Sequence, residues 1–201
     1  MTLGSMRRVA ALCGAMALLI GGLAPSAGPT GECFAPWVLY LEAEQGEVVA
    51  PVLRVEDVLT SACGYVLASE RGRGAVALTF DVPREGSYYF WARVMGESLV
   101  ENSFFFSVDG SEPAKYEFQP FHGVWTWGWD RVRPEKMPGT TPIVLSAGVH
   151  TLRFAAREPK ARLDAVVITD DLAYVPLGIH ACPIPPSPTP TPAGPPTITP
   201  T

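Results

Sequence analysis

The chain has 201 residues, 47% of them hydrophobic and 17% charged, with a formal net charge of −5. Its aromatic load excludes a disordered chain, its four cysteines are too few for a disulfide-dense miniprotein, and its apolar residues are too dispersed for a membrane-spanning bundle. An acidic balance without a basic run excludes a nucleic-acid binder, whose phosphates call for clustered Lys and Arg, and a peripheral binder of anionic lipid.

Taken in chain order, residues 1–28 read as an export signal. Arg7 and Arg8 are the charged start, residues 9–23 are an apolar run, and Ala24-Pro25-Ser26-Ala27-Gly28 supplies small residues for cleavage. The run is shorter than the roughly 20 residues a spanning helix needs. The mature chain is therefore expected to be secreted, extracellular or at the cell surface, with no membrane span. Without Arg7 and Arg8 it carries 13 basic against 20 acidic residues.

Residues 29–182 hold all five Trp, all six Tyr and all nine Phe and read as one domain. Residues 183–201 hold nine of the 21 prolines and five threonines. Proline lacks the N–H and fixes φ, so this tail is an extended spacer. A spacer of this kind either tethers a further domain or is a free end. Export permits disulfides. With Cys13 in the signal, Cys33, Cys63 and Cys182 remain. Cys33–Cys182 would staple the ends of the domain and leave Cys63 as a thiol, and Cys33–Cys63 is the alternative.

Within the domain, ten short strands are predicted: 37–45, 64–69, 75–82, 87–94, 103–108, 115–118, 124–127, 143–146, 149–155 and 163–169. Breakers separate them, among them Pro83-Arg84-Glu85-Gly86, the tight-turn pair Asp109-Gly110, Pro138-Gly139 and Ala147-Gly148. No segment keeps a helical period over three turns. Short strands at this spacing mean an all-β sandwich or barrel, and two packed sheets suit the aromatic content.

Three acids stand out. Glu42 and Glu44 are two apart, so on one strand they share a side. Asp164 lies between Leu163 and the apolar 165–168. Buried carboxylates need compensation, and a hard cation such as Ca²⁺ takes carboxylate and carbonyl oxygens. The alternative is that Glu42 and Glu44 face solvent while Asp164 pairs with Arg54 or Arg153.

Trp125, Trp127 and Trp129 would share one side of a regular strand, with Gly128 as a point where that run can break. Flat rings stack on the apolar faces of sugars; core filling is the plainer use of any single ring. Nothing in the chain matches a zinc-protease helix, a nucleophile elbow or a phosphate loop. Glu42 and Glu44 are too close together to be a glycosidase pair. The expectation is a non-enzyme.

Leu41-Glu42-Ala43-Glu44 resembles the Glu-Ala-Glu start of carbohydrate-binding module families 6 and 35. The run from Gly86 to Val94 resembles their "Gly-x-Tyr…Arg" strand. The run from Val144 to Leu152 is similar to their "L-x-x-G-x-H-x-L" hairpin, and Leu163-Asp164 to their "Leu-Asp". These motifs span about residues 38–176. The resemblance implies a galactose-binding-like jelly-roll β-sandwich of two antiparallel sheets, without catalysis. It implies a structural Ca²⁺ on Glu42, Glu44 and Asp164, completed by backbone carbonyls of the 60–63 loop. It further implies a sugar site in loops at one end, with Trp125 or Trp127 stacking on the sugar and a polar residue before "Leu-Asp" bonding it. That residue is Arg162, where the family often has Asn. Arg162, or nearby Lys160, points toward an acidic sugar, since a guanidinium pairs well with a carboxylate. The expected partner is an oligo- or polysaccharide. The alternative is a structural or adhesive module of a surface protein that binds a protein.

Overall fold

The computed structural model describes residues 36–119 and 126–182. The expected signal, Cys33, Trp125 and the proline tail lie outside the described residues. Among the described residues twelve strands form: β1 (Val38–Glu42), β2 (Glu47–Val49), β3 (Leu53–Glu56), β4 (Gly64–Leu67), β5 (Ala75–Val82), β6 (Gly86–Met95), β7 (Ser103–Val108), β8 (Ala114–Glu117), β9 (Gly128–Val132), β10 (Ile143–Leu145), β11 (Gly148–Ala156) and β12 (Arg162–Thr169). Among the described residues no helix is long and apolar enough to cross a membrane.

The strands make two antiparallel sheets. One has five strands in the order β2-β5-β11-β7-β8. The other has seven, ordered β10-β6-β12-β4-β3, with β1 added to β12 and β9 to β6. This is the all-β sandwich expected from the strand pattern, in the jelly-roll form that the resemblance implied. Alternation drives it. In β6, Tyr88, Phe90, Ala92 and Val94 point into the sandwich and Tyr89, Trp91 and Arg93 point out. From the facing sheet, Leu78, Phe80, Phe104, Leu152 and Phe154 meet them. Phe154 is fully buried and sits edge-on to Phe104 at 6.0 Å. Truncating such a ring costs about 3–5 kcal/mol.

β12 departs from simple alternation, because all eight of its residues are buried. Leu163, Val166 and Ile168 face the core. The outward Val167 and Thr169 are at 0% exposure because residues 170–182 return across this face. The Trp37 N–H donates to Asp170 (2.8 Å), the Tyr40 and Tyr174 hydroxyls meet at 2.6 Å, and Arg131 donates to the Leu172 carbonyl at 2.9 Å. The segment ends in a disulfide between Cys182 and Cys63, with Cα atoms 5.0 Å apart. This corrects both pairings expected from the sequence. The chain does not stop beside its first strand after β12. It doubles back to the 3-10 turn Ser61–Cys63 and brings Cys182 to Cys63.

Three further points differ from the sequence reading. The first predicted strand ends at Glu42, and Ala43–Gln45 form a 3-10 turn before β2. Strands β2 and β3 were not predicted; they are three and four residues long, too short for alternation to show. Of the strand predicted at 124–127, residues 124 and 125 lie outside the described residues, and 126 and 127 precede β9, which begins at Gly128.

Candidate functional site

The acid cluster is built where β1 ends, β12 bulges and the Ser61–Cys63 turn passes between them. Glu42 pairs in register with Ala165, and the β12–β6 register shifts between Leu163 and Ala165. That bulge re-aims Asp164, as bulges do. Ser61 joins the acids: its N–H donates to both Asp164 oxygens (3.0 and 3.2 Å) and its hydroxyl to Glu42 Oε1 (2.9 Å). Arg93 pairs with Asp164, so the partner is neither Arg54 nor Arg153. His180 Nδ1 lies against Glu42 Oε1, and the His180 carbonyl accepts from the Ala62 N–H at 3.1 Å.

Glu44 reaches the cluster from the 3-10 turn rather than from the same strand face. Its side chain lies on Gly64, where an added Cβ would come within 2.5 Å of the Glu44 Cγ. Only glycine permits that approach. Arg54 holds the turn by donating to the Glu44 and Gly46 carbonyls at 2.7 and 2.8 Å. Burial, with the charges of Glu42 and Asp164 added, pushes the Glu44 carboxyl up to about 7. Burial pushes Asp164 up to about 6 even against Arg93. The cluster holds more negative charge than its neighbours neutralise.

Its fit to a hard cation rests on two atoms. Glu42 Oε2 and Glu44 Oε2 are buried and meet no hydrogen-bond donor. Oxygen donors of this kind suit Ca²⁺. Among the described residues no group of three or more His, Cys, Asp or Glu is arranged to hold a metal ion. Asp164 is engaged by Arg93 and Ser61.

At the loop end, Gly128 pairs with Val94 and Arg162 with Met95, so Trp127 and Arg162 flank the same end of β6. Trp127 is half-buried, edge-on to Tyr65 at 5.3 Å, with the Arg93 guanidinium 5.2 Å from its ring centre. Arg93 thus links this ring to Asp164. Arg162 is 8% exposed and donates to Glu97 at 2.9 Å. Lys160 meets Glu97 at 2.9 Å and Glu101 at 3.1 Å. The cations that suggested an acidic sugar are both paired with carboxylates of the 96–102 loop. The strand begins at Gly128, so Trp127 precedes it, and the half-buried Trp129 pairs in register with Arg93.

Sequence reasoning missed Ser61, Arg93 and His180 as parts of the cluster. Arg93 had a signal, since it lies on the outward face of a clearly alternating strand. Ser61 lies in the 60–63 loop that the resemblance brought to the site, but it acts through its N–H and hydroxyl rather than a carbonyl. His180 had no signal, because an irregular segment brings it in.

No family model matches the chain. It is 27% identical over 150 residues to uncharacterized protein P23 of Formosa agariphila, a match covering 69% of this chain and 36% of that protein. The chain therefore spans about a third of the length of this relative. Among solved structures, a family 35 carbohydrate-binding module from Clostridium thermocellum is similar with a TM-score of 0.54 and 20% identity, over 65% of this chain and 97% of the module. An exo-β-1,3-galactanase from Phanerochaete chrysosporium matches with a TM-score of 0.54 and 16% identity, over 66% of this chain and 29% of the enzyme. The Podospora anserina GH26-CBM35 β-(1,4)-mannanase matches with a TM-score of 0.54 and 14% identity, over 74% of this chain and 29% of that one. At these identities the likeness is one of fold.

Proposed function

We propose that this chain is an exported, non-catalytic glycan-binding module, stiffened by a structural calcium ion. The observation that carries the reading is the loop end of the sandwich. There a half-buried Trp127 is braced by Tyr65 and Arg93, on a fold shared with family 35 modules. Trp127, with Trp125 beside it in sequence, stacks on the sugar ring, and polar groups of the surrounding loops select its hydroxyls. Arg162 acts there through Glu97, as the fixed end of the 96–102 loop.

Glu42 and Glu44 would hold the ion through their unpartnered oxygens, with Asp164 adding charge. Bound calcium would supply the positive charge that lets these acids stay ionised while buried. Asp130 and Glu135, the acids nearest the clustered tryptophans in sequence, each lie against a cation of their own, which supports a non-catalytic reading. Asp130 is set against Arg133 at 3.7 Å, and Glu135 pairs with Lys115 at 3.1 Å.

A glycan array tests the central part, using wild type and the Trp125→Ala/Trp127→Ala double variant. The expected outcome is retention on at least one glycan by wild type and none by the variant. Equal retention on every glycan would overturn it. Melting with and without chelator tests the ion: an unchanged Tm in wild type and in Asp164→Ala alike would remove it.

A further inference from the structure

The loop end leaves one of the clustered tryptophans unused. Trp129 lies further along β9, on the outward face of the seven-stranded sheet. In register, Arg93 faces Trp129 and Trp91 faces Arg131, and all four are half-buried. The Arg131 guanidinium lies 4.3 Å from the Trp91 ring centre and 5.1 Å from that of Tyr89. Trp129 is held edge-on to Tyr40 at 6.4 Å. Two strands thus present an alternating ladder of flat rings and guanidiniums.

The charges on this face are unevenly met. Arg93 has Asp164 and Arg162 has Glu97. Among the described residues Arg131 forms no ion pair, and Asp171 attracts it only from a distance. It gives one hydrogen bond, at 2.9 Å, to the Leu172 carbonyl. Its Nη1 is buried without an acceptor, and so is the indole Nε1 of the neighbouring Trp91. Two adjacent donors therefore carry a desolvation cost that no protein group offsets. The stacked rings fix the guanidinium plane, so little freedom is lost when it meets a planar or tetrahedral anion.

We propose that the outward face of β6 and β9 is a second ligand surface, taking a negatively charged saccharide. A carboxylate or sulfate ester on the sugar bonds to Arg131 and the Trp91 N–H, and the ring lies on Trp129. The carbonyl now serving Arg131 belongs to an exposed turn, with Leu172 44% exposed, and the anion takes its place. A charged oxygen is the stronger acceptor. The inference rests on the glycan-binding reading but uses a different surface from the Trp127 end.

The test uses three probes on the exported domain with its disulfide intact: trigalacturonate, a sulfated galactan oligosaccharide and neutral galactotriose. The Trp91 indole N–H resonance, assigned with Trp91→Phe, is followed in wild type, so this readout needs no destabilised variant. Calorimetry then compares wild type, Arg131→Gln and Trp127→Ala. The expected result is a Trp91 shift with at least one charged probe and none with the neutral one. Arg131→Gln should weaken charged binding by about tenfold or more. A response to only one charged probe identifies the anion. An unmoved Trp91 resonance with both charged probes overturns the proposal, as does undiminished charged binding by Arg131→Gln. If neutral binding is then still lost in Trp127→Ala, the glycan-binding reading survives alone. If wild type binds no probe and no arrayed glycan, both fall.

Discussion

Two glutamates with buried carboxylate oxygens, Glu158 and Glu44, show opposite chemistry. Glu158, 6% exposed, has both oxygens engaged: Oε2 accepts from the Asn102 N–H (3.1 Å) and the Ser103 hydroxyl (2.5 Å), and Oε1 from Arg157 (2.6 Å). Burial raises its carboxyl, yet the donors from Ser103, Asn102 and Arg157 hold it below the usual range. Glu44 is pushed up to about 7 by burial with an oxygen left open. The first acid is completed by its own chain and braces the 96–102 and 157–161 loops. The second sits among like charges and keeps an oxygen without a donor. Burial alone therefore does not mark a functional acid. What marks it is burial that the protein leaves uncompensated.

The strongest way to break this contrast is to release the segment that covers the acid cluster. Cys182→Ser opens a link between residues 119 apart and is expected to cost about 2–5 kcal/mol, read by denaturant unfolding. It should also weaken the calcium response, since His180 leaves with the segment. Next is the cation itself. Wild type in calcium at a hundredfold excess over its Kd should gain about 2.7 kcal/mol over chelator. Glu44→Gln should gain nothing and should be no less stable than wild type in chelator, because it removes an uncompensated charge.

Glu158→Ala sharpens the contrast from the other side. It removes three hydrogen bonds and should cost about 2 kcal/mol, equally with and without calcium. The smallest effect concerns His150, whose two nitrogens face Asp109 Oδ2 at 2.6 Å and the Ser146 carbonyl at 2.9 Å. Both partners accept, so the doubly protonated ring satisfies both. The hydrogen bond to Asp109 raises its pKa above the usual value. A raised histidine stabilises fully below about pH 6.5 and loses that contribution as pH rises through the folded pKa. Tm should fall over that interval in wild type, and the fall should flatten in His150→Gln.

Much of this was legible in the sequence for a physical reason. Alternation in β6 and β11 reports a face, and Gly-Pro breakers report where it ends. The grouping of Glu42, Glu44 and Asp164 was legible because carboxylates in apolar runs demand a partner. The disulfide was not, because the path of residues 170–182 follows no period. Nor was the pairing of Arg162 with Glu97, which joins residues 65 apart through two loops. Arg131 went unremarked because an arginine in a polar stretch looks solvated. Only the register with Trp91 shows that it is stacked and short of acceptors.

The account turns most directly on Trp127. Affinity electrophoresis through gels containing the best-retained polysaccharide compares wild type with Trp127→Ala, with circular dichroism confirming that both are folded. The account predicts retardation of wild type and free migration of the variant. Equal migration of the two through every polysaccharide would contradict it.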